Sequence, residues 1–234
     1  MASTSLLQAL YRKLFGQREP PDDPALHRLW EACRLTNRRS LLLTPVDQCR
    51  FVVMDTETTG FQAYGGDEIV SIALLEYDGL RPTGREYYQL INPQRPIPDA
   101  SRQIHGIDDS DVRNAPTLKD VLPEVLNFLQ DSVLVGHHLQ FDLRFLNRTL
   151  VEWLGCQIKH PTLDTMLMYQ AWSGRLAHYE LEQVAKACHV EVLQRHTARG
   201  DARTAAGIFE VLAGRLVDPG APVKSLINQQ VTNE

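Results

Sequence analysis

Phe51-Val52-Val53-Met54-Asp55-Thr56-Glu57-Thr58-Thr59-Gly60 is the stretch that decides how this chain is read. A short apolar run ends in two carboxylates spaced i, i+2, followed by hydroxyls and a glycine. Val, Phe and Met in such a run favour an extended, buried strand. Alternate side chains of a strand share a face, so Asp55 and Glu57 point the same way, roughly 6–7 Å apart. Two acids side by side at the end of a buried strand repel each other and lose hydration. A divalent cation is the simplest compensation. Taken alone, the pair is equally a strand end fraying into polar loop, and carboxylates elsewhere in the chain must decide.

After this strand, residues 68–77 (EIVSIALLEY) form a near-continuous apolar run, as expected of a central strand. Gly79 turns the chain, and residues 86–91 read as a third strand, giving an antiparallel meander. Residues 94–116 are proline-rich and read as irregular. Leu118, Val121, Leu122, Val125, Leu126 and Leu129 then recur at helical spacing. Residues 132–136 form a short buried strand, and residues 137–150, 162–171, 179–188 and 200–216 return to helical spacing. A meander followed by alternating helices and strands predicts an α/β fold, a mixed sheet with helices on both faces. The first strand sits centrally in it, and ligands gather at its carboxyl end.

Ahead of the strand, Leu6, Leu7, Leu10, Leu14 and Phe15 share one helical stripe, and a second short helix is expected from Ala25 to about Arg34. Residues 1–48 are therefore read as a helical N-terminal extension, residues 49–216 as the main domain, and residues 217–234 as a polar, loosely held tail.

Bulk composition bounds the function. The 234 residues are 43% hydrophobic, enough for a sizeable core, and carry a net charge of −5. That balance argues against a basic face coating long stretches of nucleic acid, and leaves room for a small site rich in acids. Four scattered cysteines without CxxC spacing give no zinc framework and fit reduced thiols. No apolar run approaches the roughly 20 residues of a membrane span. Arg12 and Lys13 interrupt any signal-peptide core, so a cytoplasmic protein is expected.

Three further residues complete the constellation. Asp142, within HHLQFDLRFL, has Leu139, Phe145 and Leu146 at helical offsets, and an acid inside an apolar stripe is costly unless paired or metal-bound. A salt bridge to Arg144 or Arg148 is the plainer alternative. Asp201 opens the last long helix, where an acid also complements the helix dipole. His196 precedes it in a His-x4-Asp pattern. Together Asp55, Glu57, Asp142 and Asp201 are four acids able to converge beside a histidine. Oxygen ligands in this number select Mg²⁺ or Mn²⁺ over zinc. Two such ions suit an in-line phosphoryl displacement, and a histidine suits the general base.

With these residues in order, the chain resembles the DnaQ-like exonucleases of the DEDDh superfamily. DTETTG (55–60), GHHLQFD (136–142) and HTARGD (196–201) resemble the three family motifs, and IHGI (104–107) and LDT (163–165) resemble further signposts. The resemblance covers roughly residues 50–215, and it departs at His138, where the family often has asparagine. It implies a ribonuclease H-like fold with a mixed five-stranded sheet flanked by helices. It also implies 3′→5′ release of nucleoside monophosphates from single-stranded ends. By position, Asp55, Glu57 and Asp201 hold the ion that activates water, Asp55 and Asp142 the second, and His196 takes the water's proton. Thr58, Thr59 and Gly60 present hydroxyl and backbone groups to the terminal nucleotide, Phe61 and Phe141 stack on or wedge bases, and His105 lines the terminal-nucleotide pocket. His160, His178 and His189 match no catalytic position and are read as structural, and Asp164 as a helix N-terminal acid.

The leading expectation is a DNA 3′→5′ exonuclease, polymerase-associated or free-standing in repair. The same acids and histidine serve RNA ends or short oligoribonucleotides, where discrimination turns on the 2′-OH. A non-catalytic polymerase accessory or nucleic-acid-binding module is the alternative of a different class, and none of the four acids or the histidine is missing as it would require.

Overall fold

The computed structural model describes residues 22–34 and 38–231; the helical stripe expected over residues 5–15 lies outside them. Strand β1 (Arg50–Thr58) carries the apolar run and both acids. It pairs antiparallel with β2 (Ile69–Asp78), which pairs antiparallel with β3 (Arg81–Leu90). On its other edge β1 runs parallel to β4 (Val133–Gly136), itself parallel to β5 (Thr162–Asp164). The order β3-β2-β1-β4-β5 puts β1 at the centre, as the sequence pattern predicts.

The pleat of β1 sorts its side chains into two cores. Phe51 and Val53 face one layer, made of α7 (Thr165–Ser173), α8 (Leu181–Cys188), α9 (Ala198–Leu216) and α10 (Val223–Val231). Ala202, Ala205 and Ala206 let α9 lie close to the sheet, and Phe209 tilts against Phe51 with ring centroids 4.9 Å apart. Each such buried ring contributes about 1.5–3 kcal/mol. Val52 and Met54 face the opposite layer, α5 (Leu118–Leu129) and α6 (Gln140–Leu154). Helix α1 (Pro24–Arg34) lays Leu26, Leu29, Trp30 and the buried Cys33 against that same layer, which is the usual fate of an amphipathic helix.

Several expectations change in detail. Residues 94–116 are not irregular throughout: they hold α3 (Asp99–His105) and α4 (Asp109–Val112), the latter started by reciprocal bonds between Asp108 and Asp111. Leu41–Leu43 end α2 (Arg38–Leu43), inside the segment read as the N-terminal extension. The segment expected to be helical over 162–171 begins with the three residues of β5, too short to show a period of its own. The described residues after 217 are not a loose polar tail. Val223 and Leu226 are fully buried among polar neighbours and seat α10 on the α9 layer. The Val46 amide donates to the Ala221 carbonyl (2.9 Å), and the Val223 amide to the Thr44 carbonyl (2.9 Å). The residues just before β1 are thus tied to those just before α10, and Leu41 and Val46 share the core of the main domain.

Candidate active site

Pairing between β1 and β4 ends at Val53 and Val135, so the last residues of β1 project past the parallel neighbour. Asp55 and Glu57 point to the α9 side, and Thr56 to the other. On the α9 side, Asp201 in the first turn of α9 meets them: ligand oxygens of Asp55, Glu57 and Asp201 lie within 4.8 Å of one another. Asp142, in the first turn of α6, approaches from the opposite layer. The Thr56 hydroxyl donates to its Oδ1 at 2.6 Å. Among the described residues Asp142 forms no salt bridge to Arg144 or Arg148, the alternative that sequence left open; Arg148 binds Glu68 and two backbone carbonyls instead.

Burial raises all four carboxyl pKa values, and repulsion from the other acids of the cluster adds to it at Asp55 and Glu57. Burial, then the charges of Asp142, Asp201 and Glu57, hold Asp55 well above the usual range. Burial and then Asp201 push Glu57 up to about 8. Burial pushes Asp142 up to about 7 and raises Asp201 despite the neighbouring Arg195. One oxygen of Asp201, Oδ2, accepts from the Arg195 guanidinium and from the His196 amide (3.3 Å), whereas Oδ1 is buried with no hydrogen-bond partner among the described residues. Crowded carboxylates with a bare buried oxygen among them are short of positive charge. Hard oxygen donors of this kind fit Mg²⁺ or Mn²⁺.

The acids open into a cleft of about 470 Å³. Asp55, Glu57, Asp142, Asp201 and His196 all line it, with Thr58, Gly60, Phe61, His105 and Phe141. Phe61 is 79% exposed and its ring stands 6.1 Å from that of Phe141, a pair of apolar faces at the rim. The Thr58 hydroxyl donates to the Gly60 carbonyl (2.7 Å). A side chain at Gly60 would collide with the Asp67 carboxylate, 2.4 Å from an ideal Cβ. Thr59 departs from expectation: its side chain is buried, donating to Asp67 (3.2 Å) and accepting from the Glu68 amide (3.0 Å), so its hydroxyl braces the loop and does not face the cleft. The Ser101 hydroxyl of α3 donates to the Thr59 carbonyl (2.8 Å). His105 accepts the Ile107 amide at Nδ1 (3.1 Å), and burial lowers its pKa. Asp164 caps α7, accepting from the Met166 amide (3.0 Å) and from the Leu139 amide (3.0 Å).

His196 reaches the cleft from a tightly folded loop. Gln194 and His196 both adopt left-handed backbone, φ 41° and 62°, which costs a non-glycine residue on the order of 1–2 kcal/mol each. The loop lies directly on the first turn of α9. An ideal Cβ at Gly200 would stand 2.2 Å from the Leu193 carbonyl oxygen and 2.3 Å from that of Gln194. Only glycine allows that approach.

Among the cleft residues that escaped the sequence reading, three bear on the chemistry. His178, read as structural, lines the cleft and stacks on His138, with centroids 4.7 Å apart and planes 8° from parallel. Its Nε2 is 3.0 Å from Glu180, the second residue missed. No spacing in the chain links positions 138 and 178, so only the fold could pair them. The third is Arg195, adjacent to His196 and bonded to Asp201; a cation beside two motif residues was the available signal. His137 stands behind His138. It donates from Nε2 to the Tyr179 carbonyl (3.0 Å) and accepts the Thr165 hydroxyl at Nδ1 (2.9 Å), and burial pushes its pKa down to about 4.

The exonuclease family model matches residues 52–209, well over half of the chain. The DNA polymerase III subunit epsilon-like protein of Rhodobacter capsulatus is 39% identical over 173 residues, covering 73% of this chain and 24% of that protein. The PolC-type DNA polymerase III of Caldanaerobacter subterraneus is 33% identical over 178 residues, 76% of this chain and 12% of the relative. The chain therefore spans only a fraction of the length of those two. It covers 85% of the DNA polymerase III subunit epsilon of Rickettsia conorii, at 32% identity over 198 residues and 79% of its own length. Among solved structures, exonuclease X in complex with 5′ overhanging duplex DNA superposes with TM-score 0.59 at 22% identity, over 75% of this chain and 99% of that one. E. coli exonuclease I in complex with a dA16 oligonucleotide gives TM-score 0.62 at 16% identity, over 72% and 41%. Both share the ribonuclease H-like fold. No described helix is long and apolar enough to cross a membrane.

Proposed function

The chain belongs to the exonuclease family, and on that premise we propose that it releases nucleoside 5′-monophosphates stepwise from the 3′ ends of single-stranded DNA. The observation that carries this reading is the trio of carboxylate oxygens from Asp55, Glu57 and Asp201 within 4.8 Å, beside a bare buried oxygen of Asp201. Asp55, Glu57 and Asp201 hold one divalent ion, and Asp55 with Asp142 a second, Mg²⁺ or Mn²⁺. Bound there, such ions supply Lewis-acid stabilisation to the attacking and leaving oxygens. His196, at the cleft wall, accepts the proton of the attacking water at an imidazole nitrogen. Phe61 and Phe141 offer apolar ring faces to the terminal bases, which suits recognition without sequence preference. The backbone of residues 58–60 and His105 line the pocket of the last nucleotide. A site for a few nucleotides needs little basic surface, which agrees with a net charge of −5.

The relative named as subunit epsilon supports a DNA polymerase as partner and a place in proofreading or repair, in the cytoplasm with the replication machinery. In this reading residues 49–216 are the catalytic unit, and the segments on either side brace it or dock on the partner. The test is digestion of 5′-labelled single-stranded DNA with Mg²⁺ or Mn²⁺, beside the RNA counterpart. Stepwise shortening of the DNA, with nucleoside 5′-monophosphates as the released product, is expected. Preference for the RNA would transfer the same chemistry to the other sugar, and internal cuts or 3′-monophosphate products would refute it.

A further inference from the structure

Arg195 matches none of the resembled motifs, yet three observations converge on it. Its Nε donates to Glu182 on α8 (2.5 Å), and its Nη1 to Oδ2 of Asp201 on α9. The residues on either side of it, Gln194 and His196, are both left-handed. The His196 amide donates to the same Asp201 oxygen that Arg195 holds (3.3 Å). We propose that Arg195 is a positioning residue that clamps α8 to α9 across the loop, fixing His196 at the cleft and turning the free oxygen of Asp201 toward Asp55 and Glu57. The inference rests on the reading of Asp201 as a metal ligand and of His196 as the base.

The geometry explains why the residue is arginine. A guanidinium presents nitrogens in a rigid fork and spans two carboxylates at once, which a single ammonium on a flexible stem does less well. The two carboxylates differ in what they can do. Asp201 is buried and lines the cleft; Glu182 is part-exposed and stands away from the cleft lining, so it acts only through Arg195. With Oδ2 occupied by two donors, Asp201 has one rotamer and one oxygen left to offer. Without the clamp, the loop keeps the Gln194 carbonyl bonded to the Thr197 hydroxyl (2.7 Å) but loses the tie that opposes its left-handed backbone.

The experiment compares Arg195→Met, Arg195→Lys, Glu182→Gln and the double variant Arg195→Met/Glu182→Gln in the full chain. Steady-state kinetics use a single-stranded oligonucleotide with saturating Mn²⁺, and hydrogen exchange of residues 193–201 is followed without metal. Arg195→Met should lower kcat about ten- to a hundredfold with KM within about threefold of wild type, as loss of a ligand-orienting partner does. Glu182→Gln should move kcat the same way, and the double variant should fall no further than Arg195→Met, because both act through one contact. Arg195→Lys should behave like Arg195→Met, and exchange over residues 193–197 should quicken in all four variants. Raised KM with kcat preserved would mean that Arg195 grips substrate. Additive effects, or unchanged exchange, would equally overturn the clamp, and Glu182→Gln decides the matter even if Arg195→Met does not fold. A wild-type protein that binds no Mn²⁺ would defeat the ligand reading, while the exchange contrast would still report on the clamp.

Discussion

Glu57 and Asp142 hold protons in the folded chain that an ordinary carboxyl group has already released, because burial disfavours their charge, with acidic neighbours adding to it. A group that binds more protons folded than unfolded makes stability fall as pH rises from the ordinary carboxyl value, about 4, to the folded value. His137 acts in the opposite sense. Its folded pKa of about 4 lies below its ordinary value, so its contribution grows with pH and is complete once the unfolded imidazole is neutral. Above about pH 6.5 only the carboxylates remain. The metal-free protein should therefore lose thermal stability between about pH 6.5 and 8 in EDTA. Mg²⁺ should flatten that loss and Glu57→Gln should reduce it, as followed by scanning calorimetry. A melting temperature that rises over this interval contradicts the raised carboxyl pKa values. At this scale the sequence was informative where a residue's neighbours along the chain are also its neighbours in space. The i, i+2 acids of β1 are such a case. It was silent on Thr59, whose hydroxyl is claimed by Asp67 and Glu68 across the loop, and on the pairing of His138 with His178, forty positions apart.

The elements divide in the same way. Long periodic segments such as α5 and α9 were legible from apolar spacing, and β1 and β2 from their apolar runs. Three residues of β5, four of α4 and the half-apolar α10 were not, because each carries too little pattern of its own, and β5 and α10 are held by partners distant in sequence. Helix α10 illustrates the physical reason: Val223 and Leu226 are enough to seat it only because residues 44–46 bond to its entry. Leu226→Ala should cost about 2–5 kcal/mol in urea unfolding, the usual loss for a truncated core leucine; an unchanged midpoint would restore the loose tail expected from composition. The junction before α9 makes a second test. Gly200→Ala places a methyl within 2.2 Å of a fixed carbonyl oxygen, so the loop bearing His196 must move. Activity should fall by about a hundredfold or more, the scale of losing a general base, with a smaller loss of stability. Unchanged activity would show that the loop's placement is not needed.

For the molecule as a whole, the sheet brings acids from two layers to one edge. The pleat of β1 sends Asp55 and Glu57 toward α9, and Asp142 reaches the same cleft from α6 across Thr56. The order of the motifs makes this convergence expected, but the geometry comes from the sheet, because it depends on β4 stopping short of Asp55. On the proposed reading, this convergence of acids holds divalent cations. Titration calorimetry with Mn²⁺, comparing wild type with Asp201→Asn and Asp55→Asn, tests it most directly. Wild type should bind Mn²⁺ and each variant should lose at least one ion or weaken about tenfold or more, with the metal-free fold kept or stabilised as buried like charge is removed. Equal Mn²⁺ binding by all three proteins, or none by a folded wild type, would contradict the account.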